Sequence, residues 1–356
     1  TRKSDDEIVA IAPQAQAVVN KALALIHLQR KPAPDKQLAL MFWNYPAGEK
    51  NFSAAFLNVP QSLISTAHAL RDAGYDVPPL PPEAQLIEQV QRLLAPSYRD
   101  GLLPALVKDD LAALLPVAQY RRWLGTLPEA TRNALLARWG EPEKSASVIR
   151  QDGTAYFAIP RLQLGKLALL PLPGRADKGV DGDAGKEKAL YHSMKPDALP
   201  PHAYLAAYLW VREGVRADDA RATPARDALI HFGTHGTQEW LPGKERGLSV
   251  HDAPLLALGD IPVAYPYIAA NIGEATQAHR RGRAVIVSHQ TAPLKPAGLD
   301  SRLTELHDLL HQWLAQDDGA VKEQFKADIL ARAQKDRIAA DMGWPPERAQ
   351  AQFAPF

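Results

Sequence analysis

The segment Asp227-Ala-Leu-Ile-His-Phe-Gly-Thr-His-Gly-Thr-Gln-Glu-Trp-Leu-Pro-Gly-Lys244 decides how the chain is read. It opens with a short apolar run, Ala228 to Ile230, of the kind that forms a buried strand. His231, His235 and Glu239 follow at intervals of four, with Gly233 and Gly236 between them. Pro242 and Gly243 close the segment ahead of Lys244. On a continuous helix this spacing would align the three side chains. The two glycines argue against a regular helix, so a bend after the strand must make the groups converge. Loops beyond the carboxyl ends of parallel strands are where α/β proteins place their chemistry. Two neutral imidazoles and a carboxylate suit a borderline divalent ion such as Zn, Co or Ni. The plainer alternative is a histidine that braces the bend through a backbone hydrogen bond.

The flanking chain reads as a frame for this loop. Leu38 to Trp43 is apolar on both faces, the pattern of a parallel strand covered on both sides. A polar loop, Asn44 to Phe56, leads to a helix with Pro60 in its first turn. Leu63, Ile64, Ala67 and Leu70 form the apolar side of that helix and Gly74 stops it, completing a βα unit. Gly48-Glu49-Lys50 lacks the second glycine and the Lys-Ser/Thr pair of a phosphate loop, so it reads as a connection. Tyr156 to Ile159, Leu167 to Leu170 and Ala284 to Ser288 read as further short strands.

Helices are expected over 7–29, with Ile8, Ile11, Val18, Val19, Ala22, Leu25 and Ile26 at helical spacing, and from Ala203 to Glu213. Others are expected from Ala275 to Arg283 and around Leu303, Leu306, Leu310, Trp313 and Leu314. Residues 84–140 read as a helical, structural segment whose last helix has Thr126 as N-cap and ends at Gly140. Residues 253–272, with three prolines among apolar side chains, read as ordered loop, and 173–189 as a mobile loop.

The expected architecture is α/β, with parallel-sheet Rossmann-like units and a helical insertion. A βα unit plus helical segment would occupy 1–140. Glu141-Pro142 would form a hinge, and an α/β domain over 141–356 would carry the His/Glu loop.

Composition narrows the function classes. A net charge of +1 gives no electrostatic case for nucleic acid or an anionic membrane. The chain has no cysteine, which excludes thiolate metal sites and cysteine nucleophiles. No apolar run approaches the roughly 18 residues of a membrane span. The expected location is cytoplasmic, and the ends of the chain suggest a piece of something longer. Arg280, Arg281 and Arg283 could grip substrate carboxylates or form a solvated helix face. His307 and His311 form a second pair at a spacing of four. No glutamate follows His307 as a zinc hydrolase would require, so the pair reads as the edge of a helix.

The run Ile-His-Phe-Gly-Thr-His-Gly-Thr-Gln-Glu-Trp-Leu-Pro-Gly-Lys, residues 230–244, resembles the signature of the cobaltochelatase large-subunit family. This is the porphyrin- or corrin-binding chain of the cobalt and magnesium chelatases. The resemblance continues through Gly247-Leu248-Ser249, Leu258-Gly259-Asp260-Ile261-Pro262, Tyr265-Pro266-Tyr267-Ile268 and Gly273-Glu274-Ala275-Thr276 to Arg280-Arg281-Gly282-Arg283. Upstream, Phe42-Trp43-Asn44-Tyr45-Pro46 and Pro200-Pro201-His202-Ala203-Tyr204 resemble the same family in order. Trp240-Leu241 resembles the cobalt type. Ile272 stands where the family usually has proline.

The resemblance implies insertion of Co2+ into a corrin ring such as hydrogenobyrinic acid diamide. ATP and Mg2+ would be handled by AAA+ partner subunits. It implies Glu239 and His235 as catalytic groups and His231, His235 and Glu239 as metal ligands. His192, Lys244, Glu274, Arg280 and Arg281 become the expected substrate-binding residues. The expected alternatives are a magnesium-chelatase-type porphyrin subunit and a non-catalytic tetrapyrrole- or metal-binding module. A partner-independent His/His/Glu metal hydrolase is a third. The segment by itself is expected to be inactive.

Overall fold

The five residues Leu38–Phe42 carry no polar side chain, and all five are buried, which makes this strand the spine of the molecule. The computed structural model describes residues 2–4, 7–43, 49, 58–176, 199–219, 221–233, 237–267, 272–288 and 301–338. The strands in chain order are β1 (Arg2–Ser4), β2 (Glu7–Ile8), β3 (Leu38–Phe42), β4 (Ala112–Pro116), β5 (Val148–Gln151) and β6 (Thr154–Pro160). They continue with β7 (Leu162–Leu164), β8 (Leu167–Pro171), β9 (Ala228–Phe232), β10 (Val263–Tyr267) and β11 (Val285–Ser288).

Six of them form one sheet in the order β11-β10-β9-β3-β8-β7. The pairings β3–β8, β3–β9, β9–β10 and β10–β11 are parallel, and only the edge pair β7–β8 is antiparallel. The mixed α/β class with a mainly parallel sheet is therefore as expected. From β3 the chain passes to β8 on one side and then returns to β9 on the other. The carboxyl ends of β3 and β9 thus form a topological switch point, the crevice where open α/β sheets bind ligands. Phe42 lies opposite both Phe232 and Pro171, so three strands end at one level.

The pleat sorts β3 into two cores. Ala39 and Met41 face a cluster that includes Ala168, Leu170, Leu229 and the helix His202–Glu213. Leu38, Leu40 and Phe42 face the helices Val59–Asp72 and Glu83–Leu94. Truncating a leucine in either layer to alanine costs about 2–5 kcal/mol. His202–Glu213 is buried on nearly every side rather than on one face. A helix that is apolar all round belongs inside a domain. Its first residue, His202, is fixed from both ring nitrogens, by Tyr120 Oη at 2.8 Å and by Gly140 O at 2.9 Å.

Several expectations are corrected. The segment read as purely helical contains β4, which joins β6 and β5 in a three-stranded antiparallel sheet. This sheet pairs strands from the two sides of residue 140, the expected domain boundary. A continuous apolar run such as Ala112 to Leu115 does not reveal its period, so strand and helix look alike in it. The segment read as loop after residue 253 forms the helix Ala253–Leu258 and then β10. Pro266 is tolerated there because it lies beyond the last residue of β10 paired to β9, Ala264.

The helix Glu129–Trp139 starts after Pro128, and Thr126 instead donates from Oγ1 to Trp123 O at 2.7 Å. At the expected hinge, Arg121 pairs with Glu141 at 2.8 Å and with Glu143 at 2.5 Å. The helix Ala12–Arg30 forms, but only Ala17 is buried, and Val18, Val19 and Ile26 face out. Polar ties hold it instead, among them Lys21 Nζ on Ile261 O at 2.5 Å and Lys31 Nζ on Asp227 at 2.7 Å.

All of this belongs to a compact unit of Thr1–Gln290. A second unit, Thr291–Phe356, contains the helices Ser301–Leu314 and Ala320–Lys335, joined by an ion pair from Arg332 to Glu305. Most of the expected mobile loop 173–189, from residue 177 on, lies outside the described residues.

Candidate functional site at the switch point

β9 delivers the first site residue. Its alternation places Leu229 and His231 on the face that meets His202–Glu213. His231 is buried, and its Nε2 lies 3.0 Å from Tyr208 Oη. Its ring stands nearly perpendicular to those of Tyr208 and Tyr265, with centroids 5.9 and 5.8 Å away. Burial lowers its pKa to about 3, so the imidazole is neutral across the physiological range. Tyr208 stacks on Tyr204 at 5.1 Å, and Tyr204 Oη lies 2.9 Å from Thr237 Oγ1. Burial pushes the pKa of both tyrosines up, so both keep their protons.

Beyond β9, residues 234–236, and with them His235, lie outside the described residues. The chain is described again at Thr237 and makes a single 3-10 turn, Gln238–Trp240. Glu239 is 1 % exposed, and its Oε1 accepts from Tyr265 Oη at 3.3 Å. Tyr265 comes from β10, the neighbouring strand, and so touches both His231 and Glu239. The turn is pinned from behind by the helix Ile272–Gly282. Arg281 of that helix donates to three main-chain oxygens: Glu239 O at 2.6 Å, Leu241 O at 2.5 Å and Lys244 O at 2.6 Å. Gln238 Nε2 donates to Pro254 O at 2.9 Å, and Trp240 Nε1 to Glu274 Oε2 at 2.6 Å. Burial raises the pKa of Glu274, against the opposing effect of the Trp240 bond. Gly243 has φ +151°, and a Cβ there would sit 2.7 Å from the Asp252 Cβ, so only glycine lets the turn close on Asp252.

The expected residues therefore divide. His231 and Glu239 come together on Tyr265. Arg281 is 1 % exposed, with its guanidinium on backbone carbonyls, so its donors hold the protein rather than a substrate carboxylate. Burial lowers its pKa, which the charges of Asp252 and Glu245 oppose. Glu274 is turned to Trp240. Lys244 and Arg280 are exposed. His192 lies outside the described residues. Among the described residues no group of three or more His, Asp or Glu is placed to hold a metal. His307 and His311 are exposed on their helix, with Nε2 atoms 3.1 Å apart.

Reasoning from the sequence misses the tyrosines and Gln238. The signal available is Tyr204 and Tyr208 at a spacing of four on an otherwise apolar helix.

A cavity of about 310 Å³ opens past the carboxyl end of β8. Leu170, Leu172, Phe157, Ala203, Tyr204 and Asp100 line it, so Tyr204 is a wall of the cavity and a neighbour of the Glu239 turn. This is the lower end of the size range of small-molecule sites, roughly 300–1,000 Å³. Among the described residues no helix is long and apolar enough to cross a membrane.

A protein-family profile described as CobN/Magnesium Chelatase matches residues 1–356. The aerobic cobaltochelatase protein CobN of Pseudomonas aeruginosa is 35% identical over 319 residues, which is 89% of this chain and 24% of that protein. The H component of magnesium chelatase from Rhodobacter capsulatus is 31% identical over 334 residues, 91% of this chain and 25% of that protein. Among solved structures, the catalytic subunit of cobaltochelatase from Mycobacterium tuberculosis aligns with a TM-score of 0.66 and 30% identity, over 96% of this chain and 28% of that one. The chain thus spans about a quarter of the length of the relatives it matches.

Proposed function

The chain belongs to the CobN/magnesium chelatase family, and from that premise we propose that it is part of the large subunit of a cobalt-type chelatase, with Glu239 as the base of metal insertion. The substrate in this reading is a corrin-type tetrapyrrole, and Co2+ is the metal inserted. ATP and Mg2+ are handled by AAA+ partner subunits in the cytoplasm. The observation that carries the reading is the setting of Glu239. It is a buried carboxylate that shares Tyr265 with a neutral imidazole, held at its side chain by Tyr265 and at its backbone by Arg281.

Metallation displaces inner N–H protons of the macrocycle, one from a corrin and two from a porphyrin, while the ion loses its water. A fixed carboxylate accepts such a proton at its oxygen. Burial keeps the His231 imidazole neutral, which leaves its ring to bond Tyr208 or a metal ion rather than to carry the proton. The protonated Tyr204 and Tyr208 bridge from His231 toward Thr237 and the cavity wall, and can exchange protons along hydrogen bonds without ionising. His235 is proposed to complete a metal-receiving group with His231 and Glu239. Exposed Lys244 and Arg280, with His192, are proposed to meet the carboxylates or amides of the ring edge.

A second reading, a magnesium-type protein acting on a porphyrin, is favoured by the relationship to the H component of magnesium chelatase. The test is absorbance-monitored insertion by the full-length large subunit with its ATPase partners. Free-base corrin with Co2+ is compared with porphyrin and Mg2+. Metallation of the corrin supports the cobalt reading, and metallation of porphyrin alone replaces it. Failure to bind either macrocycle refutes both.

A further inference from the structure

We propose that Arg281 is the positioning residue of the site: its guanidinium fixes the turn that carries the Glu239 carboxylate, and so its place, without touching substrate. The inference rests on the reading of Glu239 as the base. Arg281 is 1 % exposed and lies at the end of the helix Ile272–Gly282. Its three hydrogen bonds, at 2.5 to 2.6 Å, all go to carbonyl oxygens within the segment from Glu239 to Lys244.

A single 3-10 turn leaves its last carbonyls without intrahelical partners. The planar fork of an arginine can satisfy several such oxygens at once, and a lysine cannot. The contact is returned from the turn, since Gln238 Nε2 lies 3.4 Å from Arg281 O. Trp240 and Glu274 form a second tie between the same two elements. Gly282 permits the approach, because a Cβ there would come within 3.1 Å of Gln238 Oε1. The Glu239 turn and the helix therefore move as one piece.

The test uses the full-length large subunit with its ATPase partners, and reads macrocycle affinity against kcat. Arg281→Lys keeps the charge and loses the fork. It is expected to lower kcat by about tenfold or more while changing macrocycle Kd by less than about twofold. Arg281→Met removes the charge as well. With no donor left for the three carbonyls, its kcat is expected to fall at least as far as that of the lysine variant. Arg281→Lys combined with Glu239→Asp is expected to be little slower than the slower single variant, since both act through the same carboxylate. Should Arg281→Met fold poorly, the lysine variant and the double-variant comparison still decide. An Arg281→Lys enzyme with kcat within about twofold of wild type overturns the proposal, as do losses that multiply in the double variant. Glu239→Gln is run in parallel. If it retains insertion, the reading of Glu239 fails. If it is inactive while Arg281→Lys is silent, only the role of Arg281 fails.

Discussion

Tyr265→Phe isolates the hydrogen bond that β10 gives to the Glu239 carboxylate. The substitution removes a hydroxyl that donates to Glu239 Oε1 at 3.3 Å and keeps the ring that packs edge-on against His231. Hydrogen bonds to a charged partner contribute about 1.5–3 kcal/mol, and a bond at the long end of the range contributes less, on the order of 1 kcal/mol. The phenol stabilises the ionised carboxylate, so its loss makes the carboxyl easier to protonate. At 1.36 kcal/mol per unit, about 1 kcal/mol moves the acid limb of the insertion profile up by roughly 0.7 pH unit. The same loss at neutral pH lowers Tm by roughly 2–4 °C in a unit of this size. The assays are insertion rate against pH in the full complex and thermal unfolding of the same protein. A lower Tm with an unmoved acid limb would mean that the titrating base is some other group. No change in either would mean that the hydrogen bond is absent in solution.

Three further outcomes follow from the same core. Tyr208→Phe leaves the buried His231 Nε2 without its hydroxyl partner and should destabilise the protein by about 1–3 kcal/mol, read by denaturant unfolding; an unchanged midpoint would contradict it. His231, with its folded pKa near 3 against 6.5 in the unfolded chain, should show no protonation in imidazole NMR shifts down to about pH 4. Because that pKa is depressed, the unfolded chain binds the extra proton between those two values, so stability is full above pH 6.5 and falls on acidification by up to about 1.4 kcal/mol per pH unit; His231→Phe should flatten that slope, and an unaltered slope would assign it elsewhere.

Much of the frame is legible because burial on both faces writes itself as an unbroken apolar run. β3 and β9 can be read for that reason, and the loop beyond β9 falls at the carboxyl end of a parallel strand. The same kind of run hides β4, where no polar residue betrays the period. Prolines hide β10, which accepts Pro266 only because its pairing to β9 has already ended. The helix Ala12–Arg30 is legible as a helix but not as a surface one, since Val18 and Val19 stay exposed while polar side chains hold it in place.

At the site, the spacing of His231 and Glu239 points to convergence, and Tyr265 provides it. What orients them is not legible. Tyr208 lies 23 residues from His231, and Arg281 lies 42 residues from Glu239. Nothing in Arg280-Arg281 says which arginine turns inward. The phase of the helix Ile272–Gly282 against the turn decides it, and leaves Arg280 in solvent.

Single-turnover cobalt insertion by Glu239→Gln, measured beside macrocycle affinity in the assembled enzyme, bears most directly on the account. Glutamine keeps the shape and the Tyr265 contact and cannot take the proton. Corrin binding within about twofold of wild type and insertion slowed by at least about a hundredfold are expected. Insertion at the wild-type rate, or binding and insertion lost to the same extent, would contradict it.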